Sequence, residues 1–325
     1  MQIRGELVEV DMDRGSVEKL MDEFDRPAGI STYIERLNGA PPPPLIYHYC
    51  DPDGFAGILN SGELWCGDLF SLNDKSEIRH GVDAACRLLE RAAAGAGSTR
   101  ALEVFASTVI RALGDKLETS GAFFVTCFSS EADDLNQWRA YARDGEGFAL
   151  GFDTAALEKG FVTDLPQNNG TFPVSYDRDL LDQMQAQLVD DAVRVIRSAG
   201  RNVDADLLRR LSVRFSANVI HCASFFKNPS YHSEREYRFL QLFRADIAVP
   251  GLRARGLGDA SKKYRAYPWR SVTPDALRRV VVGPVAGERG AELARRVLEG
   301  NVPSPRDFEV IVSKIPYRGS GAGRR

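Results

Sequence analysis

The sequence predicts an α+β fold, in which a mixed β core carries two long helical insertions. Two observations predict it. Short apolar segments typical of strands recur from residue 45 onwards in this 325-residue chain, and helices do not alternate with them as evenly as a doubly wound sheet requires. Apolar residues at helical spacing extend over two blocks, at about residues 77–118 and 177–226.

The N-terminal part of the chain is predicted to precede the main domain. Residues 1–44 form a polar leader, with one helical segment at Ser16–Phe24 and a stiff run of prolines at Pro41–Pro44. We therefore expect a single domain over residues 45–325.

Strands and helices follow in a definite order through the first half of that domain. The segment "LIYHYC" at Leu45–Cys50 predicts a strand, the next helix is capped by Asp51 and ends at Gly62, and "ELWCG" predicts a second strand. After the first insertion, the nearly continuous apolar run "GAFFVTCFSS" is typical of a buried central strand. A short helix in "DDLNQWRAYARDGEG" then leads through a turn to the strand "GFALGFD".

The second half contains strands on both sides of the second insertion. The segment "TFPVSYD" precedes it, and the insertion itself breaks at "SAGRNVDAD". The segment "YHSEREYRFL" at Tyr231–Leu240 predicts a strand, as do "RVVVGP" and "FEVIVSKIP", which flank a helix at Glu288–Leu298.

Composition places the chain among soluble globular proteins. It is 43% hydrophobic and 27% charged, and no apolar run approaches the ~18 residues that span a bilayer. The acidic N-terminus does not resemble a signal peptide, so we expect a cytoplasmic protein without membrane contact. Five scattered cysteines without a CxxC pair and four histidines without an HxxxH pair predict no metal site. Cys127 could be a nucleophile beside His221 or His232, although a buried structural thiol is commoner.

Charge is distributed unevenly along the chain. The net charge is −3, but residues 251–325 contain sixteen Lys and Arg against seven Asp and Glu. This basic third could meet a phosphate-bearing ligand or nucleic acid, or it could be an ordinary solvated surface.

The acidic pair in "YHSEREYRFL" is the first candidate site. Alternation along a strand would put Glu234, Glu236 and Arg238 on one face. They could form a salt-bridged solvent face, or the wall of a cleft in which carboxylates stabilise an oxocarbenium-like sugar. Two carboxylates this close require a cation or an adjacent arginine to offset their repulsion.

Three further segments supply candidate binding residues. His48, beside Tyr49 on the first strand, could hold a ribose or a pyrophosphate, and Ser129 ends the buried strand. Trp138 and Tyr141 lie three residues apart on a short helix and so share a face, which could stack against an aromatic base or belong to the core.

Four segments together resemble the bacterial family catalogued as domain of unknown function 2971. They are "LIYHYCDPDGFAGILNSGELWCGDLFSLND", "FFVTCFSSEADDLNQWRAYARDGEGFALGFD", "FFKNPSYHSEREYRFL" and "LRRVVVGP", in that order. This resemblance implies relatives without implying an activity.

The ordered set His48, Ser129 and Glu234-Arg235-Glu236 also resembles, more distantly, the ADP-ribosyltransferase superfamily. That resemblance implies an ADP-ribosyltransferase-like mixed β core with NAD as substrate. By the same resemblance His48 would bind the NAD ribose, Ser129 would support the nicotinamide side, Glu236 would be the catalytic carboxylate, and Glu234 would face the acceptor.

We therefore expect an NAD-dependent ADP-ribosyltransferase-like enzyme or an NAD glycohydrolase, serving as a bacterial toxin or an anti-phage defence effector. The acceptor would be a protein, a nucleic acid or water. A non-catalytic nucleic-acid or nucleotide-binding module is the alternative, supported by the basic third and by the pair Trp138 and Tyr141. A metal-dependent nuclease that uses Glu234 and Glu236 as ligands is the second alternative.

Overall fold

A computed structural model describes residues 14–25, 41–71, 76–115, 117, 121–164, 169–244, 248–256, 261–301 and 308–319. Its α-helices within these ranges are α1 (Arg14–Asp25), α2 (Pro52–Ser61), α3 (Ser76–Ala94), α4 (Arg100–Asp115), α5 (Leu135–Tyr141), α6 (Thr154–Asp164), α7 (Arg178–Ala199), α8 (Ala205–Ala223), α9 (Trp269–Val272) and α10 (Gly287–Asn301). Its strands are β1 (Leu45–Cys50), β2 (Leu64–Asp68), β3 (Gly121–Ser129), β4 (Phe148–Asp153), β5 (Asn169–Pro173), β6 (Glu236–Arg244), β7 (Leu252–Arg255), β8 (Lys262–Tyr267), β9 (Leu277–Val282) and β10 (Glu309–Val312).

The described strands form one mixed sheet. Its main order is β10-β9-β4-β1-β3-β2-β8-β7, and β6 pairs with both β3 and β5. The β9–β10 pair is parallel, whereas the remaining pairs of this sheet are antiparallel. The expectation of a mixed β core accompanied by helices is therefore confirmed.

The sheet is split along one edge of β3. Strand β6 pairs with the whole length of β3, so β1 and β2 must share the opposite edge. There β1 pairs through Tyr47 with Ser129, whereas β2 pairs at Val125 and Phe124. Cys127 lies between these two contacts. The sheet therefore divides at this residue into a β1–β4–β9–β10 part and a β2–β8–β7 part.

Helices cover both faces of the sheet. On one face, α3, α4, α7 and α8 build a core that meets Val125 of β3 and Leu240 of β6. On the other face, α2, α6, α9 and α10 pack against the neighbouring residues Phe124 and Phe239. Because successive strand residues point to opposite faces, β3 and β6 supply both cores.

Helix α1 belongs to the first of these cores although it precedes the proline run. Its buried side chains Val17, Met21 and Phe24 lie in that cluster. Glu18 also receives two hydrogen bonds from Arg210 of α8, at 2.7 and 2.9 Å. The predicted helix at Ser16–Phe24 is confirmed, and the rest of the predicted leader before residue 41 lies outside the described residues.

The predicted strand at Tyr231–Leu240 is wrong over its first half. Pro229–Glu234 form a 3-10 turn, which Asn228 caps by accepting a hydrogen bond from the Ser230 amide. Arg235 then takes a left-handed conformation at φ 43°, and β6 begins only at Glu236. Proline at the start of the turn favours this geometry, because its fixed φ suits a first helical turn.

Within the part of the chain that the structure describes, no helix is both long enough and apolar enough to cross a bilayer.

Candidate functional site

A cavity of about 470 Å³ lies where the sheet divides. It is lined by residues of β1, β2, β3, α5 and β6, by the turn Pro229–Glu234, and by the β7–β8 hairpin. Its volume lies in the range of small-molecule binding sites. Since both parts of the sheet contribute walls, the split itself creates the cavity.

The bottom of the cavity holds a buried cluster of opposite charges. Arg238 donates two hydrogen bonds to Glu236, at 2.6 and 3.0 Å, and Lys227 lies 3.1 Å from the same carboxylate. Lys227 also contacts Glu234 at 2.5 Å. Neither glutamate side chain exceeds 15% exposure. The required offsetting cations are thus present, and the reading as a solvent-facing salt bridge is wrong.

Glu234 owes its position to the 3-10 turn and not to strand alternation. The Ser129 hydroxyl donates to the Glu234 backbone carbonyl at 2.7 Å, and the Tyr141 hydroxyl donates to its carboxylate at 3.3 Å. Ser129 also accepts from the Glu131 amide at 3.2 Å. Ser129 therefore lines the cavity, but its hydroxyl fixes the turn that carries Glu234.

Electrostatics keep the Glu236 carboxylate ionised. Burial alone would raise its pKa, but Arg238 and then Lys227 outweigh burial and lower the pKa to about 2. Cys127 behaves in the opposite way, because burial and the neighbouring Glu236 raise the pKa of its thiol. Glu236 can therefore accept hydrogen bonds or stabilise positive charge, whereas Cys127 stays protonated and is a poor nucleophile.

His48 is held as a neutral ring. Its Nδ1 lies 3.0 Å from the Cys127 carbonyl oxygen, which can only accept, so Nδ1 carries the proton. Burial lowers the His48 pKa. Nε2 is then the unprotonated nitrogen of the neutral ring and an acceptor. The Cys127 carbonyl is available to His48 because it lies in the split between β1 and β2.

His48 and Glu236 approach the cavity from opposite faces of the sheet. Tyr47 is in register with Ser129, and Ser129 with Glu236, so these three share one face. His48 lies on the other face of β1, where its ring packs edge-on against Phe128. Both nevertheless line the cavity, because the split lets it extend through the sheet.

Tyr49, Trp138 and Tyr141, the predicted binding residues of β1 and α5, do not form one binding surface. Trp138 is fully buried, packs edge-on against Tyr49 at 4.7 Å, and does not line the cavity. The Tyr49 hydroxyl donates to the Glu131 carbonyl and accepts from the Asp134 amide. Tyr141, at the end of α5, is 42% exposed and lines the cavity. The suggested stacking surface of Trp138 and Tyr141 is therefore wrong, since the larger ring belongs to the core.

Sequence reasoning missed two parts of the cavity. Lys227 follows the second insertion, and no local pattern signals that it will bridge two glutamates. The β7–β8 hairpin could have been found from the two tyrosines in "KKYRAY", because aromatic residues favour strands.

The acidic side chains at the base of the cavity are paired with cations. Within the described ranges, no group of three or more His, Cys, Asp or Glu side chains is placed to hold a metal ion. The oxygens of Glu234 and Glu236 already contact Lys227 and Arg238.

Part of the chain matches a known protein family. Residues 137–239 match the family model described as "Protein of unknown function (DUF2971)". The matched segment begins in α5 and ends in β6, so it includes Tyr141, Lys227, Glu234 and Glu236, whereas His48 and Ser129 precede it. No curated protein matches the chain, and no solved structure matches it.

Proposed function

We propose that this chain is an NAD-consuming enzyme of the ADP-ribosyltransferase type and that its mixed β core has an ADP-ribosyltransferase-like fold. It would break the bond between nicotinamide and ribose and pass ADP-ribose to a protein, a nucleic acid or water. One observation carries the proposal: the ionised carboxylate of Glu236 lines the same cavity as the neutral ring of His48, with Glu234 beside it.

The chemistry requires a fixed negative charge next to the ribose. When the C–N bond breaks, both electrons leave with nicotinamide, and positive charge develops on the sugar ring. A preorganised carboxylate stabilises that charge most effectively where water is excluded. Glu236 is suited to this role because Arg238 fixes its orientation and holds it ionised. Its low pKa excludes a role as general acid near neutral pH.

The remaining side chains would divide the other tasks. His48 Nε2 could accept a hydrogen bond from a ribose hydroxyl. Glu234 would orient the acceptor, since it lies in the turn beside Glu236 and contacts Lys227 and Tyr141. Ser129 would act indirectly, because its hydroxyl donates a hydrogen bond to the turn that carries Glu234. Lys227 would have to shift towards a bound phosphate for both carboxylates to reach the sugar.

The direct test is release of labelled nicotinamide from NAD. Glu236→Gln preserves the shape of the side chain and removes its charge, so release should fall by about 100-fold or more. Glu103→Gln, at an exposed carboxylate of α4, is the matched control and should release nicotinamide as the wild type does. Release by Glu236→Gln at the wild-type rate, with an unchanged circular dichroism spectrum, would refute the assigned role.

Two further assays address the acceptor and the cellular role. Glu234→Gln should reduce transfer to an acceptor more than it reduces hydrolysis of NAD. If the enzyme is a cytoplasmic toxin or an anti-phage effector, induced expression of the wild type should arrest bacterial growth, and Glu236→Gln should not.

A non-catalytic nucleic-acid-binding module is the second candidate, because the basic C-terminal third supplies the β7–β8 hairpin that lines the cavity. That candidate predicts oligonucleotide binding that weakens steeply between 50 and 200 mM salt, on the order of 10³-fold for six phosphate contacts. It also predicts no nicotinamide release. A nuclease that used the glutamates as metal ligands would lose its activity in excess chelator.

A further inference from the structure

One wall of the cavity combines exposed aromatic rings with positive charge. We call it the rim wall and define it as Trp65, Arg255, Lys262, Lys263 and Tyr264. Trp65 is 44% exposed and stacks on Tyr264, with ring centroids 4.2 Å apart and planes inclined by 27°. The Arg255 guanidinium lies 5.6 Å from the centre of the Trp65 ring. The wall therefore presents a stacked aromatic pair flanked by cations.

The rim wall differs from the rest of the β7–β8 hairpin in its ion pairs. Two other arginines of the same hairpin have carboxylate partners, since Arg253 pairs with Glu63 and Arg265 with Asp164. Over the ranges that the structure describes, no ion pair is found for the three cations of the rim wall. At the bottom of the cavity, in contrast, the glutamates are balanced by Lys227 and Arg238. Among the described residues, the rim wall therefore carries three cations, whereas the charges at the base of the cavity are paired.

Gly67 lines the cavity between the rim wall and the glutamates at its base. It lies on β2 in register with Val125 of β3 and Tyr264 of β8. A Cβ atom built on Gly67 would meet nothing within 4 Å, so the wall is open at this point. A ligand can therefore extend from the rim wall to the glutamates without meeting a side chain of β2 at residue 67.

We propose that the rim wall is the binding subsite for the base and the phosphates of a nucleoside diphosphate. The base would stack on the pair formed by Trp65 and Tyr264, and the phosphates would lie against Arg255, Lys262 and Lys263. A sugar attached beyond the phosphates would then pass Gly67 and reach Glu236. This last step rests on the proposed function, whereas the subsite itself does not.

A single nucleotide fits this wall better than a nucleic-acid strand does. Strand-binding proteins present successive aromatic rings along a basic groove. Here a single stacked pair lies at one end of a cavity of about 470 Å³, and Lys227 and Glu234 lie at the other end. Stacking on a flat ring tolerates any base, so the wall selects for the diphosphate and not for adenine.

Tryptophan fluorescence gives a direct assay. The chain has three tryptophans, and Trp138 and Trp269 are 0% and 1% exposed, so quenching by a nucleotide reports on Trp65. We expect ADP, ADP-ribose and NAD to quench with similar affinities. Nicotinamide mononucleotide, which lacks the second phosphate and the second base, should bind at least about tenfold more weakly.

Variants locate the binding, with isothermal titration calorimetry used wherever Trp65 is absent. Trp65→Ala should weaken ADP binding by about tenfold or more. The double variant Lys262→Ala/Lys263→Ala should weaken it by a similar factor and reduce its salt dependence. Lys159→Ala removes an exposed lysine of α6 that does not line the cavity, so it should leave the affinity unchanged.

The outcomes separate this subsite from the catalytic proposal, because ADP contains no nicotinamide. If nicotinamide is not released but the rim-wall variants still weaken ADP binding, the catalytic proposal fails and the subsite stands. ADP binding that survives Trp65→Ala and the double lysine variant overturns the subsite. So does a ten-nucleotide oligonucleotide that binds tenfold more tightly than ADP through the same residues, since the wall would then hold a strand.

Discussion

Replacing Lys227 by methionine tests whether the charges at the base of the cavity form one interdependent cluster. The Lys227 ammonium lies 2.5 Å from Glu234 and 3.1 Å from Glu236, and its side chain is 9% exposed. Methionine is unbranched and of similar length, so it removes the charge with little change of volume. The variant leaves two neighbouring carboxylates with Arg238 as the remaining counter-ion at Glu236.

The expected loss is about 3 kcal/mol of unfolding free energy at pH 7. At an effective dielectric constant of about 20, contacts at these two distances correspond to roughly 7 and 5 kcal/mol of attraction. Desolvation of the three groups and repulsion between the glutamates offset most of that attraction. Breaking a buried pair by removing one partner typically costs about 3–5 kcal/mol. We take the lower end because Glu236 can relieve the imbalance by binding a proton.

Urea unfolding at pH 7 and pH 4 is the assay. Arg100→Met removes an ion pair of exposed residues, with side chains 86% and 48% exposed, and should cost less than about 1 kcal/mol. The loss in Lys227→Met should shrink towards pH 4, because without the ammonium the pKa of Glu236 rises and protonation relieves the repulsion. A Lys227→Met variant no less stable at pH 7 than Arg100→Met would disprove the interdependence.

Three further predictions concern pH and shape. Burial lowers the pKa of His221 to about 4, so acidification below pH 6.5 should lower the free energy of unfolding. In urea titrations at pH 4.5, His221→Phe should be spared about 2 kcal/mol of that loss. The stability that ionised Glu236 provides is present above pH 4.5 and should be lost between about pH 4.5 and 2, and Glu236→Gln should lack that acid transition. Gly67→Val places methyl groups where a Cβ atom finds open space. Measured by calorimetry, it should weaken the binding of ADP-ribose much more than the binding of ADP. Equal losses of affinity for the two ligands would contradict the proposed path past β2.

Much of the fold could be predicted because its elements have strong local signals. The continuous apolar run at β3 and the helical spacing in α7 and α8 mark segments whose structure is determined by burial. The turn at Pro229–Glu234 is hidden by the segment that follows it, since polar and apolar residues alternate only from Glu236 to Phe239. Upstream of that pattern, a proline and a capping asparagine start the turn instead.

The candidate site was predictable in part. The resemblance to the ADP-ribosyltransferases grouped His48, Ser129 and Glu236, and these residues lie on strands that are adjacent in the sheet. Lys227 and Trp65 could not be inferred. Lys227 contacts the glutamates because the turn at Pro229–Glu234 brings the chain back towards it, and Trp65 stacks on Tyr264, which lies far along the chain. Trp138 and Tyr141 share a helical face, but helical spacing does not distinguish the ring that enters the core from the ring at the surface.

The spacing of Glu234 and Glu236 has a different origin from the one that strand geometry suggests. Had both been on a strand, they would share a face through alternation and would be held alike. Instead Glu236 is fixed by β6 and Arg238, whereas Glu234 is held by a turn and by Ser129 from β3. The two carboxylates are thus coupled through Lys227 but anchored to different parts of the chain. Ser129→Ala should therefore disturb Glu234 while leaving the acid transition of Glu236 in place, which makes the roles of the two glutamates separable by experiment.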